Sequence, residues 1–118
     1  MWIFTNKGFI SAVQHRDKPQ HLMVRARRLD HLKAIFPGEQ VTQTENADYR
    51  YRVTVHRALF HLAVGREIAA LDYDNFKNSI PDHEYHDACS SVWSVMHQLQ
   101  PGSYMPRDEE PDDLFGIP

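Results

Sequence analysis

The sequence predicts an α+β fold: a ferredoxin-like antiparallel sheet, or a permuted form of it, with helices packed on one face. Residues 49–55 alternate between large apolar or aromatic side chains and polar ones, which indicates a strand with one buried face. Residues 57–71 repeat apolar side chains at helical spacing, so a helix follows the strand and covers the sheet.

The full order of predicted elements is hairpin, strand, helix, strand, strand, helix, helix. Strand, helix, strand, strand, helix is the ferredoxin-like order without its last strand. We expect a strand of the N-terminal hairpin to take the vacant place by pairing with the strand that follows it.

The chain begins with a hairpin and a third strand. Residues 2–5 and 9–15 are apolar or alternating, and Gly8 between them can supply the positive φ of a short turn. Residues 21–27 form the next strand, which has one apolar and one basic face. The apolar face carries Leu22, Val24 and Ala26, and the other carries Met23, Arg25 and Arg27.

Two shorter elements precede the central strand. Residues 29–36 predict a helix that Pro37 and Gly38 end, and residues 41–44 predict a polar strand at a sheet edge. We expect this helix to bury Leu29, Leu32, Ile35 and Phe36. We expect the central strand to bury Tyr49, Tyr51, Val53 and Val55.

Two longer helices complete the body of the chain. The first, over residues 57–71, has an apolar stripe of Leu59, Phe60, Ala63, Val64, Ile68 and Leu71. A connection rich in turn-forming residues follows at 72–77. The second helix, over residues 81–99, has an apolar stripe of Tyr85, Ala88, Cys89, Val92, Val95, Met96 and Leu99.

Length and charge indicate one domain with a tail. The chain of 118 residues, 42% of them hydrophobic, suits a single α+β domain over residues 1–100 and an acidic, proline-rich tail over 101–118. Its single cysteine, Cys89, predicts a buried, inert thiol and a reducing compartment. The apolar start is interrupted by Lys7, so we expect a cytoplasmic protein without a membrane span.

Four arginines are the candidate anion-binding residues. If the apolar strand faces meet the helices, then the opposite face of the sheet carries Arg25, Arg27, Arg50 and Arg52. Guanidinium groups suit phosphates and carboxylates because they donate paired hydrogen bonds. The alternative is a solvated face whose arginines pair with acids such as Asp48 and Glu45.

A second group of polar residues is a weaker candidate site. It comprises Tyr73, Asp74, Asn75 and Lys77 of the connection and His83, His86 and Asp87 of the last helix. Most segments of this composition are turns and helix caps, and this structural role is the favoured interpretation of the first four. The histidines match no metal-binding motif, so we expect an exposed polar helix face, no metal and no cofactor.

The end of the chain resembles a linear docking motif. Within residues 108–118 an acidic run precedes a short apolar cluster that includes Leu114 and Phe115. A disordered tail, or one that folds back over the arginine face, is equally consistent with this composition.

Four sequence blocks resemble a family of small bacterial and phage proteins of unassigned function. They are GFIS at residues 8–11, VRAR at 24–27, DYRYR at 48–52 and DYDNFK at 72–77, within a resemblance that covers about residues 1–99. The resemblance implies no particular activity. It implies that the last three blocks belong to one shared surface or framework.

We therefore expect a small non-enzymatic binding protein that engages an anionic partner, either nucleic acid or an acidic protein surface, through its arginine-lined sheet face. Phage relatives make inhibition of a host defence complex one form of this role. The first alternative is a small enzyme that acts on a phosphorylated substrate, with the arginines as phosphate clamps and the histidines or Asp74 as acid–base or metal groups. The second alternative is a structural homodimer in which two sheet faces pack together.

Overall fold

The computed structural model describes residues 1–102, and the chain divides into two compact units. The first unit is Met1–Asp72 and the second is Tyr73–Pro118. The predicted docking motif at residues 108–118 lies outside the described residues, and the boundary between body and tail stays a prediction.

The first unit is built on one antiparallel sheet of five strands. Every neighbouring pair of strands is antiparallel, and the spatial order is β1-β2-β3-β5-β4. The strands are β1 (Trp2–Thr5), β2 (Gly8–Gln14), β3 (His21–Ala26), β4 (Thr42–Gln43) and β5 (Tyr51–His56). Helix α1 (Leu29–Ile35) follows β3, and helix α2 (Arg57–Ala69) follows β5.

This arrangement confirms the predicted α+β, ferredoxin-like fold. The chain from β3 to α2 runs strand, helix, strand, strand, helix, and its three strands lie in the order β3-β5-β4. Strand β2 pairs with β3 on the other side and so occupies the place of the missing last strand. Strand β1 then adds a fifth strand at that edge.

The core of the first unit lies between the sheet and the two helices. The strand register places Ala12, Val24 and Val53 in one row, and all three are buried. From the helices, Leu32, Ile35, Phe36 and Ala63 pack against them. A fully buried aliphatic side chain such as Leu32 contributes about 1.5–3 kcal/mol relative to an exposed one.

Gly8 is required by packing, not by turn geometry. Its φ is not positive, so the predicted reason for this glycine is wrong. A Cβ atom at Gly8 would lie 2.6 Å from Cβ of His31, because this helix side chain rests directly on the strand. The backbone N–H of Phe9 donates to His31 Nδ1 at 3.2 Å and holds the ring there.

Helix α2 contacts the core mainly through its first half. Phe60 stacks on Phe36 with ring centroids 6.1 Å apart, and Ala63 is buried. Ile68 and Leu71 are more than half exposed, so their predicted place in the core is wrong. The buried partners of α2 lie beside its first two turns, and the helix ends before Leu71. Leu29, at the start of α1, is also exposed.

The second unit contains a short 3₁₀ helix (Lys77–Ser79) and helix α3 (His83–His97). Asp82 caps α3 by accepting a hydrogen bond from the N–H of Tyr85 at 2.8 Å. Tyr85 and Cys89 are the two buried residues of this helix.

The predicted apolar stripe of α3 is correct only at these two positions. Trp93, at the next turn, is half-buried and contacts Lys77, so the covered face of α3 passes through residues 85, 89 and 93. The rest of the predicted stripe lies on another face and is exposed at Ala88, Val92, Val95, Met96 and Leu99.

The three α-helices that the structure describes have 7, 13 and 15 residues. A membrane-spanning helix needs about 20 largely apolar residues. Accordingly, no helix within residues 1–102 has the length and hydropathy to cross a bilayer.

Candidate anion-binding face of the sheet

The sheet has one face covered by α1 and α2 and a second that we call the open face. Side chains alternate along each strand, so the neighbours of the core residues point to the open face. The register aligns one such residue from every strand in a single row. From β1 to β4 this row is Trp2, Ser11, Arg25, Arg52 and Thr42.

Arg25 is held rigidly at the centre of the open face. Its Nη2 donates to Oγ of Ser11 at 2.8 Å, and Ser11 is only 1% exposed. Its guanidinium carbon lies 4.5 Å from the centroid of the Tyr49 ring. The Nε of Arg25 is buried and has no hydrogen-bond acceptor among the described residues.

Tyr49 is buried, as predicted, but it lies on the open face and not on the helix-covered face with Val53 and Val55. Strand β5 begins only at Tyr51, and the backbone before it bends where Asp48 Oδ1 accepts the N–H of Tyr49 at 3.0 Å. The regular alternation therefore does not extend back to Tyr49. The ring is buried beneath the guanidinium groups of Arg25 and Arg27.

Arg27 completes this arrangement from just beyond the end of β3. Its guanidinium carbon is 4.3 Å from the Tyr49 ring centroid and 6.0 Å from that of Phe9. Its Nε donates to the backbone oxygen of Asp48 at 3.2 Å. The two guanidinium groups on one ring are cation–π contacts, each worth about 0.5–2 kcal/mol.

The other two predicted arginines pair with acids, as the alternative of a solvated face expects. Arg52 lies opposite Arg25, and its Nη2 is 3.5 Å from Oδ1 of Asp48. Arg50 lies before β5, and its Nε is 3.7 Å from Oε1 of Glu45. The carboxylates are exposed, and such surface pairs contribute only about 0.2–1 kcal/mol each.

Aromatic side chains of the hairpin extend the open face toward its β1 edge. The rings of Phe4 and Phe9 stack with centroids 4.5 Å apart, and Trp2 meets Phe9 edge-on at 5.8 Å. Trp2 is 68% exposed. These rings were not among the predicted site residues. The alternation that places Trp2 and Phe4 on one face is visible in the sequence, but only the register places them beside the arginines.

A group of histidines lies on the open face where β3 begins and β5 ends. His21 lies across from His56 with ring centroids 5.2 Å apart, and the N–H of His15 donates to the backbone oxygen of His21. Desolvation lowers the pKa of His21, as do the nearby groups His56, Lys18 and His15. This cluster was not predicted, because His56 is far from His15 and His21 along the chain.

The predicted polar residues of the connection act mainly as structural groups. Asn75 Oδ1 accepts the N–H of Asn78, within the 3₁₀ helix, at 3.0 Å. The ring of Tyr73 packs against Phe76 at 5.9 Å, and Nζ of Lys77 lies 4.5 Å from the centroid of the Trp93 ring. Asp74 is exposed.

The predicted histidine group belongs to the second unit. His86 Nδ1 is 3.4 Å from Oδ1 of Asp87, and both side chains are accessible. His83 and His86 line a shallow depression of about 320 Å³ with Asn78, Ile80 and Pro81, none of which is an arginine. Within residues 1–102 no three His, Cys, Asp or Glu side chains are placed to share a metal ion.

Cys89 has the environment of an unreactive thiol. It is buried, and it hydrogen-bonds with the hydroxyl of Tyr85 one helical turn earlier. Burial raises the pKa of Cys89, although the hydrogen bond from Tyr85 partly opposes this. Burial and the same hydrogen bond raise the pKa of Tyr85. The neutral thiol is a poor nucleophile.

Comparisons with protein-family models, with curated proteins and with solved structures give no match to this chain. The resemblance of its four sequence blocks to small bacterial and phage proteins therefore stays a prediction.

Proposed function

We propose that this chain is a small cytoplasmic binding protein that engages an anionic partner through the open face of its sheet. The observation that carries the proposal is the placement of Arg25 and Arg27 against the Tyr49 ring. Among the described residues, neither guanidinium forms an ion pair with a carboxylate. Both therefore offer positive charge to a partner.

The geometry favours binding because the two guanidinium groups are already ordered. Tyr49 supports both of them, Ser11 fixes Arg25, and the Asp48 backbone oxygen fixes Arg27. A bound anion would not have to immobilise two long side chains, which otherwise costs about 0.5–1.5 kcal/mol for each. Phosphate and carboxylate oxygens are also the acceptors that match the paired N–H groups of a guanidinium.

The test is binding of fluorescein-labelled polyanions, a short heparin fragment and poly-L-glutamate, by fluorescence anisotropy at 50 and 200 mM NaCl. We expect binding that weakens with salt, and a loss of at least tenfold in affinity for the double variant Arg25→Gln/Arg27→Gln. Arg27→Gln alone, which alters an exposed side chain, should lose part of this affinity with the fold intact.

Arg66→Gln is the matched control, because it removes the same charge from an exposed position on α2. It should bind both polyanions within twofold of the unmodified chain. Equal losses in the control and in Arg27→Gln would mean that only net charge matters, and the proposed site would be wrong. Absence of binding at 50 mM NaCl would also contradict it.

The resemblance to phage proteins extends this proposal to an inhibitor of a host defence complex. In that form, the full chain should recover an anionic protein or ribonucleoprotein from host lysate at low salt, and Arg27→Gln should recover less of it. Recovery of nothing at low salt would contradict this form of the role.

A further inference from the structure

We infer that the ligand of the open face is a single-stranded nucleic acid, whose phosphates contact Arg25 and Arg27 and whose bases stack on Trp2 and the rings beside it. The inference rests on the proposed function and names its ligand. It follows from aromatic side chains that a site for anions alone would not need.

Trp2 is the residue that distinguishes this surface. It projects from an edge strand, is 68% exposed, and touches the Phe9 ring only edge-on at 5.8 Å. Large aromatic rings are usually buried because they bring much apolar area to a core or an interface. An indole ring exposed on a sheet can stack against a planar group of a ligand.

The rings and guanidinium groups form a continuous track. Trp2 contacts Phe9, Phe9 stacks on Phe4 and lies 6.4 Å from Tyr49, and Tyr49 supports the two arginines. Trp2 and Arg25 lie in one row across β1, β2 and β3, two strand spacings or about 10 Å apart. Rings that can stack on bases therefore lie next to guanidinium groups that can contact phosphates, over the dimensions of a short oligonucleotide.

Single strands suit this combination better than duplexes or acidic peptides. Unpaired bases expose both π-faces, and stacking on aromatic side chains together with contacts from arginine gives affinity with little sequence preference. A duplex keeps its bases stacked on each other and presents only phosphates. An acidic peptide has carboxylates for the arginines but no planar group for Trp2.

The experiment compares four fluorescein-labelled ligands of equal length with the full chain: dT12, U12, a 12-unit abasic strand with the same phosphates, and a 12-base-pair duplex. In 50 mM NaCl we expect dT12 and U12 to bind at least tenfold more tightly than the abasic strand and the duplex. Their binding should quench the fluorescence of Trp2, one of two tryptophans in the chain.

Substitutions at Trp2 separate stacking from charge. Trp2→Ala should bind dT12 only as well as the abasic strand, and Trp2→Phe should keep most of the difference but lose the quenching. Ile68→Ala, at a similarly exposed apolar position on α2, should behave like the unmodified chain. Circular dichroism of each variant checks that the fold is retained.

The outcomes distinguish this inference from the proposed function. Equal, salt-dependent binding of dT12 and the abasic strand would overturn the inference and leave the proposed function standing. A preference for dT12 that survives Trp2→Ala, or duplex binding as tight as dT12, would also overturn the inference. Absence of binding to every ligand and to the heparin fragment would overturn both.

Discussion

At the scale of single residues, Gly8 determines how the hairpin meets helix α1. A methyl group there would lie 2.6 Å from Cβ of His31, well inside van der Waals contact. We predict that Gly8→Ala lowers the free energy of unfolding by about 1–3 kcal/mol, because the ring must move away from the strand. Urea unfolding followed by far-UV circular dichroism measures this change.

Gly65→Ala is the control for this prediction. A Cβ atom at Gly65, inside α2, would meet nothing within 4 Å. The substitution should stabilise the protein by about 0.5–1 kcal/mol, since alanine favours the helix. A Gly8→Ala variant that is equally stabilised would contradict the close packing of His31 on β2.

His21 gives a second prediction at this scale. Its pKa is lower in the folded protein than in a free chain, so the unfolded state binds its proton more tightly. Stability should therefore fall as the pH drops through the ordinary histidine range near 6.5 and toward the lower pKa of the folded state. His56, Lys18 and His15 face this ring and supply part of the repulsion.

The variant His21→Gln removes the group that titrates. We expect its melting temperature to fall less between pH 8 and pH 5.5 than that of the unmodified chain. Identical pH profiles for the variant and the unmodified chain would show that His21 does not contribute to the pH dependence.

At the scale of elements, the sequence predicts where helices and strands lie better than which face they bury. The apolar period of residues 81–99 correctly predicts α3 but not its buried side, since Val95 and Leu99 are exposed while Trp93 is half-buried. Periodicity detects a helix, whereas the buried face depends on what packs against it. For α3 this includes Lys77, whose contact with Trp93 has no sequence signal.

Because most of the predicted apolar stripe of α3 is exposed, polar substitutions at its exposed positions should have little effect on the stability of the protein. Val95→Gln and Leu99→Gln should each change the free energy of unfolding by no more than about 0.5 kcal/mol, because little burial is lost. Leu32→Ala, in the core under α1, should cost about 2–5 kcal/mol in the same urea titration. A large loss in either glutamine variant would mean that the stripe is covered in solution.

At the scale of the whole molecule, the strand order follows from the order of elements along the chain. The incomplete ferredoxin-like series leaves one place beside β3, and the short connection from the hairpin makes β2 its nearest candidate. The register does not follow so directly, and it is the register that places Trp2 opposite Ser11 and in one row with Arg25. The sequence therefore predicts that Arg25 and Arg52 share a face of the sheet, but not which aromatic side chains lie on that face with them.

The acidic residues at the end of the chain should weaken its binding to polyanions. Residues 103–118 carry one arginine and five carboxylates, so their removal changes the formal net charge from −3 to +1. The shortened chain should bind the heparin fragment several-fold more tightly at 50 mM NaCl, and the gain should shrink at 200 mM because salt screens distant charges. An unchanged affinity at low salt would show that these carboxylates do not oppose binding.

Because Cys89 is buried, the reaction of its thiol with a reagent can measure how often the second unit opens. Cys89 is the only cysteine of the chain, and burial both hides it and raises its pKa. A disulfide reagent in native buffer therefore reacts only with molecules in which the Tyr73–Pro118 unit has opened, so the labelling rate measures the opening equilibrium of that unit. Comparison with urea unfolding of the sheet would tell whether the two units unfold in one cooperative step or in two.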